Sequence, residues 1–227
     1  MNYFKRFFLF TALLIKTLGG KAFKTIKFVN LKTKWYLKNA NNKTFPVKYF
    51  PINLVNVGDH SYGPIDIYTY GAKDEGLQIG KYCSIARDVK FILGGNHKTD
   101  CFMTFPVKNK FGGANENVAL TKGKITIGDD VWIGVGSIIL SGVKLGQGCV
   151  VAAGSVVTKS FGPYTIIGGN PSKIIKMRFE ENIIKILEKH NLKIGAIESN
   201  EISNNIARYS DTLNEKNIQD LINHLKK

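Results

Sequence analysis

The sequence predicts an all-β core: a parallel β-helix of hexapeptide repeats, with an inserted loop and helical N- and C-terminal extensions. Three observations lead there. An aliphatic residue recurs every six positions, at Ile127, Ile133, Ile139, Leu145, Val151 and Val157. Four residues after each of the first five comes a small or β-branched side chain: Val131, Ser137, Val143, Cys149 and Ser155. Ten glycines lie among the 48 residues from Lys124 to Pro171. An amphipathic helix would repeat its apolar residues about every 3.6 positions and a half-buried strand would alternate them, so neither pattern fits. Short strands stacked turn on turn, roughly 4.8 Å apart, leave room inside for one aliphatic ladder per face and need small residues at the corners.

The elements follow in chain order. Residues 1–56 read as a basic, amphipathic N-terminal extension and linker. Phe4, Phe7, Phe8, Leu14, Ile15 and Leu18 share one helical face, with Lys5, Arg6, Lys16, Lys24 and Lys27 largely opposite. The apolar run FFLFTALLI is too short to span a bilayer. It also lacks the small-residue cleavage site of a secretory signal. Residues 30–56, with Pro46 and Pro51, are expected to be a linker entering the first coil.

The repeat unit is expected over residues 57–178. Val57 opens a hexad, and Ile79, Ile85 and Phe91 carry the stripe, with Cys83 and Val89 in the small positions. Ile79 to Ile127 is eight whole hexads, so the register survives the loop 94–123 between them. A solenoid tolerates such an insertion at a corner, and loops of this length are usually functional. Residues 179–227 read as a C-terminal helical extension: a helix over 179–190, an irregular Asn/Ser-rich stretch over 199–205, and a last helix opened by a capping box from Thr212 to Glu215.

The net charge of +15 is unevenly spread: eleven Lys and Arg precede the first acidic residue, Asp59. That asymmetry points to an anionic neighbour for the N-terminal segment. With no helix-turn-helix, zinc-finger or RNA-binding signature, and with Phe and Leu interleaved among the cations, an anionic membrane surface is expected rather than nucleic acid. Cys83, Cys101 and Cys149 are odd in number and two fill small positions of the repeat, as packing residues of a reducing compartment do. No metal-ligand spacing is present.

His97 is the candidate for chemistry. It follows a coil strand in FILGGNHKTD, at the root of the inserted loop, where an imidazole can be exposed and still be held by a rigid scaffold. Such a group suits general base catalysis.

FILGGNHKTD, then MTFPVKNKFGG, then IGDDVWIGVGSIILSGVKLGQGCVVAAGSVVTKSFGPYTIIGGNPSKIIKMRF together resemble the hexapeptide-repeat acyltransferases. Within them the likeness is to the xenobiotic acetyltransferase branch, which also holds sugar O-acetyltransferases of surface polysaccharide clusters. It covers about residues 57–179. The resemblance implies a left-handed parallel β-helix, a homotrimer, acetyl-CoA as co-substrate in a groove between subunits, and no metal. It makes His97 the catalytic base. It implies a place for Trp132 near the acyl-transfer point, for Ala153 and Ser155 along the CoA arm, and for Thr158, Lys159, Asn170, Pro171 and Lys173 near its nucleotide end. Tyr62, Asp66 and Asn96 become candidates for the acceptor side, Tyr62 and Asp66 also for orienting His97.

The expected activity is acetyl transfer from acetyl-CoA to a hydroxyl of a sugar in a capsular, exopolysaccharide or lipid-linked glycan precursor. Transfer is direct, since no Gly-x-Ser-x-Gly elbow is present. The expected place is the cytoplasm, peripheral on the inner face of the membrane. Alternatives are acetylation of an antibiotic or other soluble small molecule, and a non-catalytic scaffold. The helix after MRF lacks the tryptophans typical of antibiotic-modifying members, and CFMTFPV keeps only part of their STYPF motif, which favours the glycan.

Overall fold

The computed structural model describes residues 3–113, 119–190 and 193–225, with side chains described from residue 19 onward. The hexad stripe appears as stacked parallel strands. Thr126 pairs with Lys144, Trp132 with Val150 and Ile138 with Val156, each an 18-residue offset, so three hexads complete one turn. The strands form three stacks, called here the first, second and third faces. The first runs through Val55–Val57, Leu77–Ile79, Ile125–Ile127 and Lys144–Leu145. The second runs through Lys43–Pro46, Tyr62–Tyr68, Ser84–Ile85, Trp132–Ile133, Val150–Val151 and Thr165–Gly169, closed by antiparallel Ser172–Met177. The third runs from the end of Tyr62–Tyr68 through Lys90–Ile92 and Ile138–Leu140 to Val156–Val157.

The six stripe residues from Ile127 to Val157 are all buried, as are Val131, Ser137, Val143, Cys149 and Ser155. Ile79, Ile85 and Phe91 continue the ladder upward. The turn before the second face is left-handed in every coil, with φ of 63° at His60, 60° at Tyr82, 54° at Asp130, 68° at Gly148 and 57° at Tyr164. Cys83 and Cys149 are buried there, and burial pushes the Cys83 thiol up to about 12 and raises that of Cys149 as well.

Three parts differ from the sequence reading. Residues 43–57 are not a linker: Lys43–Pro46 and Val55–Val57 already pair in the stacks. Prolines at Pro46 and Pro51 concealed this, yet Pro46 only ends an edge strand, where no ladder donor is needed. Residues 199–205 are not irregular, because Ser199–Asn204 is a short helix. The last helix, Glu215–Leu225, is capped by Asn214 and not Thr212: Asn214 Oδ1 accepts from the backbone N–H of Lys216 at 2.9 Å and of Asn217 at 3.2 Å.

The N-terminal helix α1 spans Tyr3–Lys38, and its end is fixed to the body. Leu31 and Trp35 are buried, Trp35 meets Phe50 edge-on at 5.6 Å, and its Nε1–H donates to the Thr44 carbonyl at 3.0 Å. The side chains of the face from Phe4 to Leu18 lie outside the described residues. Among the described residues no helix is long and apolar enough to cross a membrane.

The C-terminal segment packs Glu181–Lys189 (by Ile183, Ile184 and Leu187) with Glu215–Leu225 (by Ile218 and Ile222) against Tyr164. It is stitched to the coils by Gln147 Oε1 accepting from Ile194 N–H at 2.9 Å and by Arg178, which donates to Asp130 Oδ2 at 2.8 Å and the Gly148 carbonyl at 2.9 Å.

Candidate active site

Strand Lys90–Ile92 lies within the third face, Leu93 after it is buried, and the chain leaves the stack through Gly94 and Gly95. Gly95 has φ of +88°, and a Cβ there would meet the Tyr70 ring at 2.8 Å. Only glycine lets the backbone pass so close beneath that ring. Asn96 and Leu120 then exchange backbone hydrogen bonds of 3.0 and 2.8 Å, so the inserted loop is closed at its root like a hairpin. Asn96 Nδ2 donates to Ser141 Oγ at 3.2 Å, and Thr121 Oγ1 donates to the Leu93 carbonyl at 2.6 Å. Two sides of the root are thereby tied to the coils.

Beneath the root lies Glu75, 5% exposed. Its carboxylate accepts from the Thr69 hydroxyl and from the N–H groups of Tyr70 at 3.0 Å and Gly71 at 2.9 Å. A Cβ on Gly94 would stand 3.5 Å from Glu75 Oε2, so this carboxylate forms the floor under the loop. Glu75→Ala would leave those donors without their acceptor, at about 1–3 kcal/mol for each buried group that finds no water. A lower melting temperature and slower turnover are expected together, with Glu75→Gln milder in both; melting curves and a thiol-release assay check this.

On this base stands His97, exposed, with Nδ1 2.9 Å from the Thr104 carbonyl oxygen. A carbonyl only accepts, so the contact requires Nδ1–H, and the neutral ring then carries its lone pair on Nε2. The loop holding Thr104 shows solvent an apolar surface: Phe102, Met103, Phe105 and Phe111 are all exposed.

The remaining candidates divide over the faces. Asn96 stands beside His97 as a brace, its amide engaged with Ser141. Thr158 and Lys159 follow Val156–Val157, which stacks under Ile138–Leu140 and Lys90–Ile92. They therefore share the edge of His97, roughly 10 Å along the stack at two strand spacings. Trp132 and Tyr62, 56% and 52% exposed, lie on the outside of the second face, separated by Ser84. Ala153 is exposed at the edge between the second and third faces. Near it the hairpin of Thr165–Gly169 and Ser172–Met177 carries Asn170, Pro171 and Lys173, all exposed. One chain thus presents two separate groups of candidates.

Two side-chain expectations do not fit the geometry. Ser155 is fully buried and donates to the Ala152 carbonyl at 2.5 Å, so its hydroxyl closes a corner and offers nothing to a ligand. Asp66 does not orient His97. Its Oδ1 is 2.6 Å from Lys48 Nζ, an ion pair outside hydrogen-bond angles, and the ring is held by Thr104.

Among the described residues no cluster of three or more His, Cys, Asp or Glu is placed to hold a metal. A cavity of about 1090 Å³ opens between the coils at Tyr82, Asp130 and Tyr164 and the C-terminal helices, and His97 does not line it. Sequence reasoning missed Glu75, Ser141 and Tyr70. The available signal was weak: an acid and turn residues in YTYGAKDEG, a stretch that breaks the six-residue beat.

Comparison with known proteins places these features. The family pattern described as the hexapeptide repeat of succinyl-transferase matches residues 124–159. A probable macrolide acetyltransferase of Lysinibacillus sphaericus is 43% identical over 143 residues, 58% of this chain and 79% of that protein. A chloramphenicol acetyltransferase of Agrobacterium fabrum is 39% identical over 138 residues, 56% of this chain and 66% of that protein. Among solved structures, a hexapeptide-repeat acetyltransferase from Vibrio cholerae O1 biovar eltor complexed with acetyl-CoA is 25% identical with a TM-score of 0.47, over 65% of this chain and 78% of that one. On the repeat and on the likeness to the first of these relatives, the chain belongs to the acetyl-CoA-dependent hexapeptide-repeat acetyltransferases, in their xenobiotic acetyltransferase branch.

Proposed function

We propose that this protein transfers the acetyl group of acetyl-CoA directly to a hydroxyl of a soluble small-molecule acceptor, with His97 as general base. The observation that carries the reading is the tautomer set on this exposed ring: Nδ1–H is committed to the Thr104 carbonyl, which leaves the lone pair of the neutral ring on Nε2. Acetyl-CoA supplies an acetyl group already activated as a thioester. His97 Nε2 would accept the acceptor's proton as its oxygen attacks the thioester carbonyl, and the Thr104 carbonyl steadies the positive ring that results; as the C–S bond breaks, the ring would return that proton to the departing CoA thiolate, leaving the acetyl ester and free thiol. Glu75, Asn96 and Ser141 keep the ring where that transfer needs it.

The division of candidates over two edges supports a homotrimer of left-handed β-helices with acetyl-CoA between copies. Thr158 and Lys159 accompany His97 on one edge, while Ala153, Asn170, Pro171 and Lys173 stand on the other, and a neighbouring copy would unite them. Exposed Lys159 and Lys173 fit a phosphorylated co-substrate. The exposed phenylalanines of the inserted loop fit an apolar contact with a neighbour. The repeat unit of residues 57–178, with the strands Lys43–Pro46 and Val55–Val57 paired into it, forms the catalytic unit, with 1–42 and 179–227 as appendages. The reduced, buried Cys83 and Cys149 favour a cytoplasmic setting.

The relatives are named a probable macrolide acetyltransferase and a chloramphenicol acetyltransferase, and this favours a soluble acceptor over the surface glycan expected from the departures at CFMTFPV and after MRF. The glycan remains the second reading, favoured by the cationic N-terminal helix. Thiol release from acetyl-CoA, measured with chloramphenicol, a macrolide and a panel of glycans, separates them. Release with an antibiotic is expected. Release with glycans alone would move the acceptor, and no release with any would leave a scaffold.

A further inference from the structure

We infer that α1 is a lateral anchor for an anionic lipid bilayer, a role independent of the acetyl-transfer reading. The helix is continuous from Tyr3 to Lys38, and among its described side chains Leu31 and Trp35 are buried against the body, while Lys27 Nζ reaches over the Tyr49 ring at 5.8 Å. From Gly19 to Lys27 every residue is exposed, nine in succession. More than two helical turns at 3.6 residues each therefore have no face covered by this chain. The segment from Tyr3 to Lys27 extends roughly 37 Å at 1.5 Å per residue.

What this free segment presents is specific. Ile26 and Val29 are 66% and 57% exposed. By spacing they continue a line through Phe4, Phe8, Ile15, Leu18 and Ala22. The buried Leu31 and Trp35 belong to the opposite half of the wheel, which also holds Lys16, Lys24 and Lys27. The apolar line therefore lies away from the side by which the helix is fixed. The run from Phe7 to Ile15 contains no charged residue and one hydroxyl, that of Thr11, so by composition that stretch is apolar on every side but one. A helix apolar nearly all round belongs in an apolar medium, and about 14 Å of helix cannot cross a hydrocarbon core of about 30 Å. The remaining geometry is a helix lying in the interface, with phenylalanines among the acyl chains and lysines at the headgroups.

Charge selects the partner. The nine cations of α1 and the absence of acids before Asp59 fit anionic headgroups. They oppose pairing with the same helix of a second copy, which would set cation against cation. Nucleic acid would satisfy the lysines and leave the apolar run in water.

The test uses the intact protein in vesicle co-sedimentation, with phosphatidylcholine alone or with phosphatidylglycerol added, alongside a short single-stranded RNA at the same ionic strength. Sedimentation with the phosphatidylglycerol vesicles only is expected. The triple change Lys21→Glu, Lys24→Glu and Lys27→Glu should weaken it on the order of a hundredfold, since each lysine near such a surface contributes several-fold. Ile15→Asp with Leu18→Asp should release the protein with its charge nearly intact. Unchanged circular dichroism and thiol release in both variants would show that the body is folded. Equal sedimentation with both vesicle types, sedimentation with neither, or RNA binding without vesicle binding would overturn the inference. So would an assembly formed without lipid that the Ile15→Asp, Leu18→Asp pair dissolves, since the apolar line would then serve a second copy.

Discussion

Replacing His97 with alanine is expected to lower kcat for acetyl transfer by about 10²–10⁴, the contribution of a well-placed general base. The fold should be untouched, because the ring is exposed and, among the described residues, its hydrogen bond is to the Thr104 carbonyl. The loss should fall on kcat much more than on the KM for acetyl-CoA, since the imidazole acts on the acceptor's proton. Thr104→Ala provides the contrast. Thr104 acts through its backbone oxygen, so removal of its side chain should leave turnover close to that of the unaltered protein. Initial-rate kinetics by thiol release, with circular dichroism as the control for folding, check both. A His97→Ala protein that turns over normally would remove the base from the mechanism.

The largest effect on stability is expected from Gly63→Val. Gly63 lies within Tyr62–Tyr68, the strand shared by the second and third faces. Its φ is +116°, and a Cβ would collide with the Ile85 carbonyl oxygen, with the carbonyl carbon next at 2.9 Å. Both obstacles are backbone of the next coil, which cannot rotate away. Strain of about 1–3 kcal/mol adds to overpacking of about 1–3 kcal/mol, and a β-branched side chain stands at the upper end of both. The melting temperature should fall by on the order of 10 °C, at about 2–4 °C per kcal/mol for a chain of this size. Gly154→Ala is the matched control: its φ is +69° but nothing lies within 4 Å of an added Cβ, so only the conformational cost remains.

How far the sequence disclosed this molecule depends on whether a feature repeats. The stripe from Ile127 to Val157 and the small positions from Val131 to Ser155 were legible because each coil imposes the same packing demand, and every one of those residues is buried. The register across the inserted loop was legible for the same reason, with Ile79 paired to Ile127. Positions 43–56 were missed because an edge strand ending at Pro46 and a connection through Pro51 carry no six-residue beat. Helix Ser199–Asn204 was missed because asparagine and serine have low helix propensity; it buries no residue of its own and is tied by the Tyr209 hydroxyl, which donates to Glu201 Oε1 at 2.5 Å.

The candidate site was legible only in part. His97 stands beside a recognisable strand, but what holds it is a set of single contacts: Glu75 under Gly94, Ser141 against Asn96, a backbone carbonyl from Thr104. None of these has a period, and a backbone acceptor leaves no trace in residue type. Ser155 shows the converse. A small polar residue at a coil corner reads equally as groove lining or as packing, and here its hydroxyl turns to Ala152.

The most direct measurement is a crystal structure of this protein with CoA bound. The sulfur is expected within hydrogen-bond reach of His97 Nε2, or one water away, with Lys159 of one copy and the Lys173 hairpin of another on the same ligand. A sulfur bound far from the ring, in the cavity beside Tyr82 or along a face of a single chain, would contradict His97 as the base and the two-copy site together.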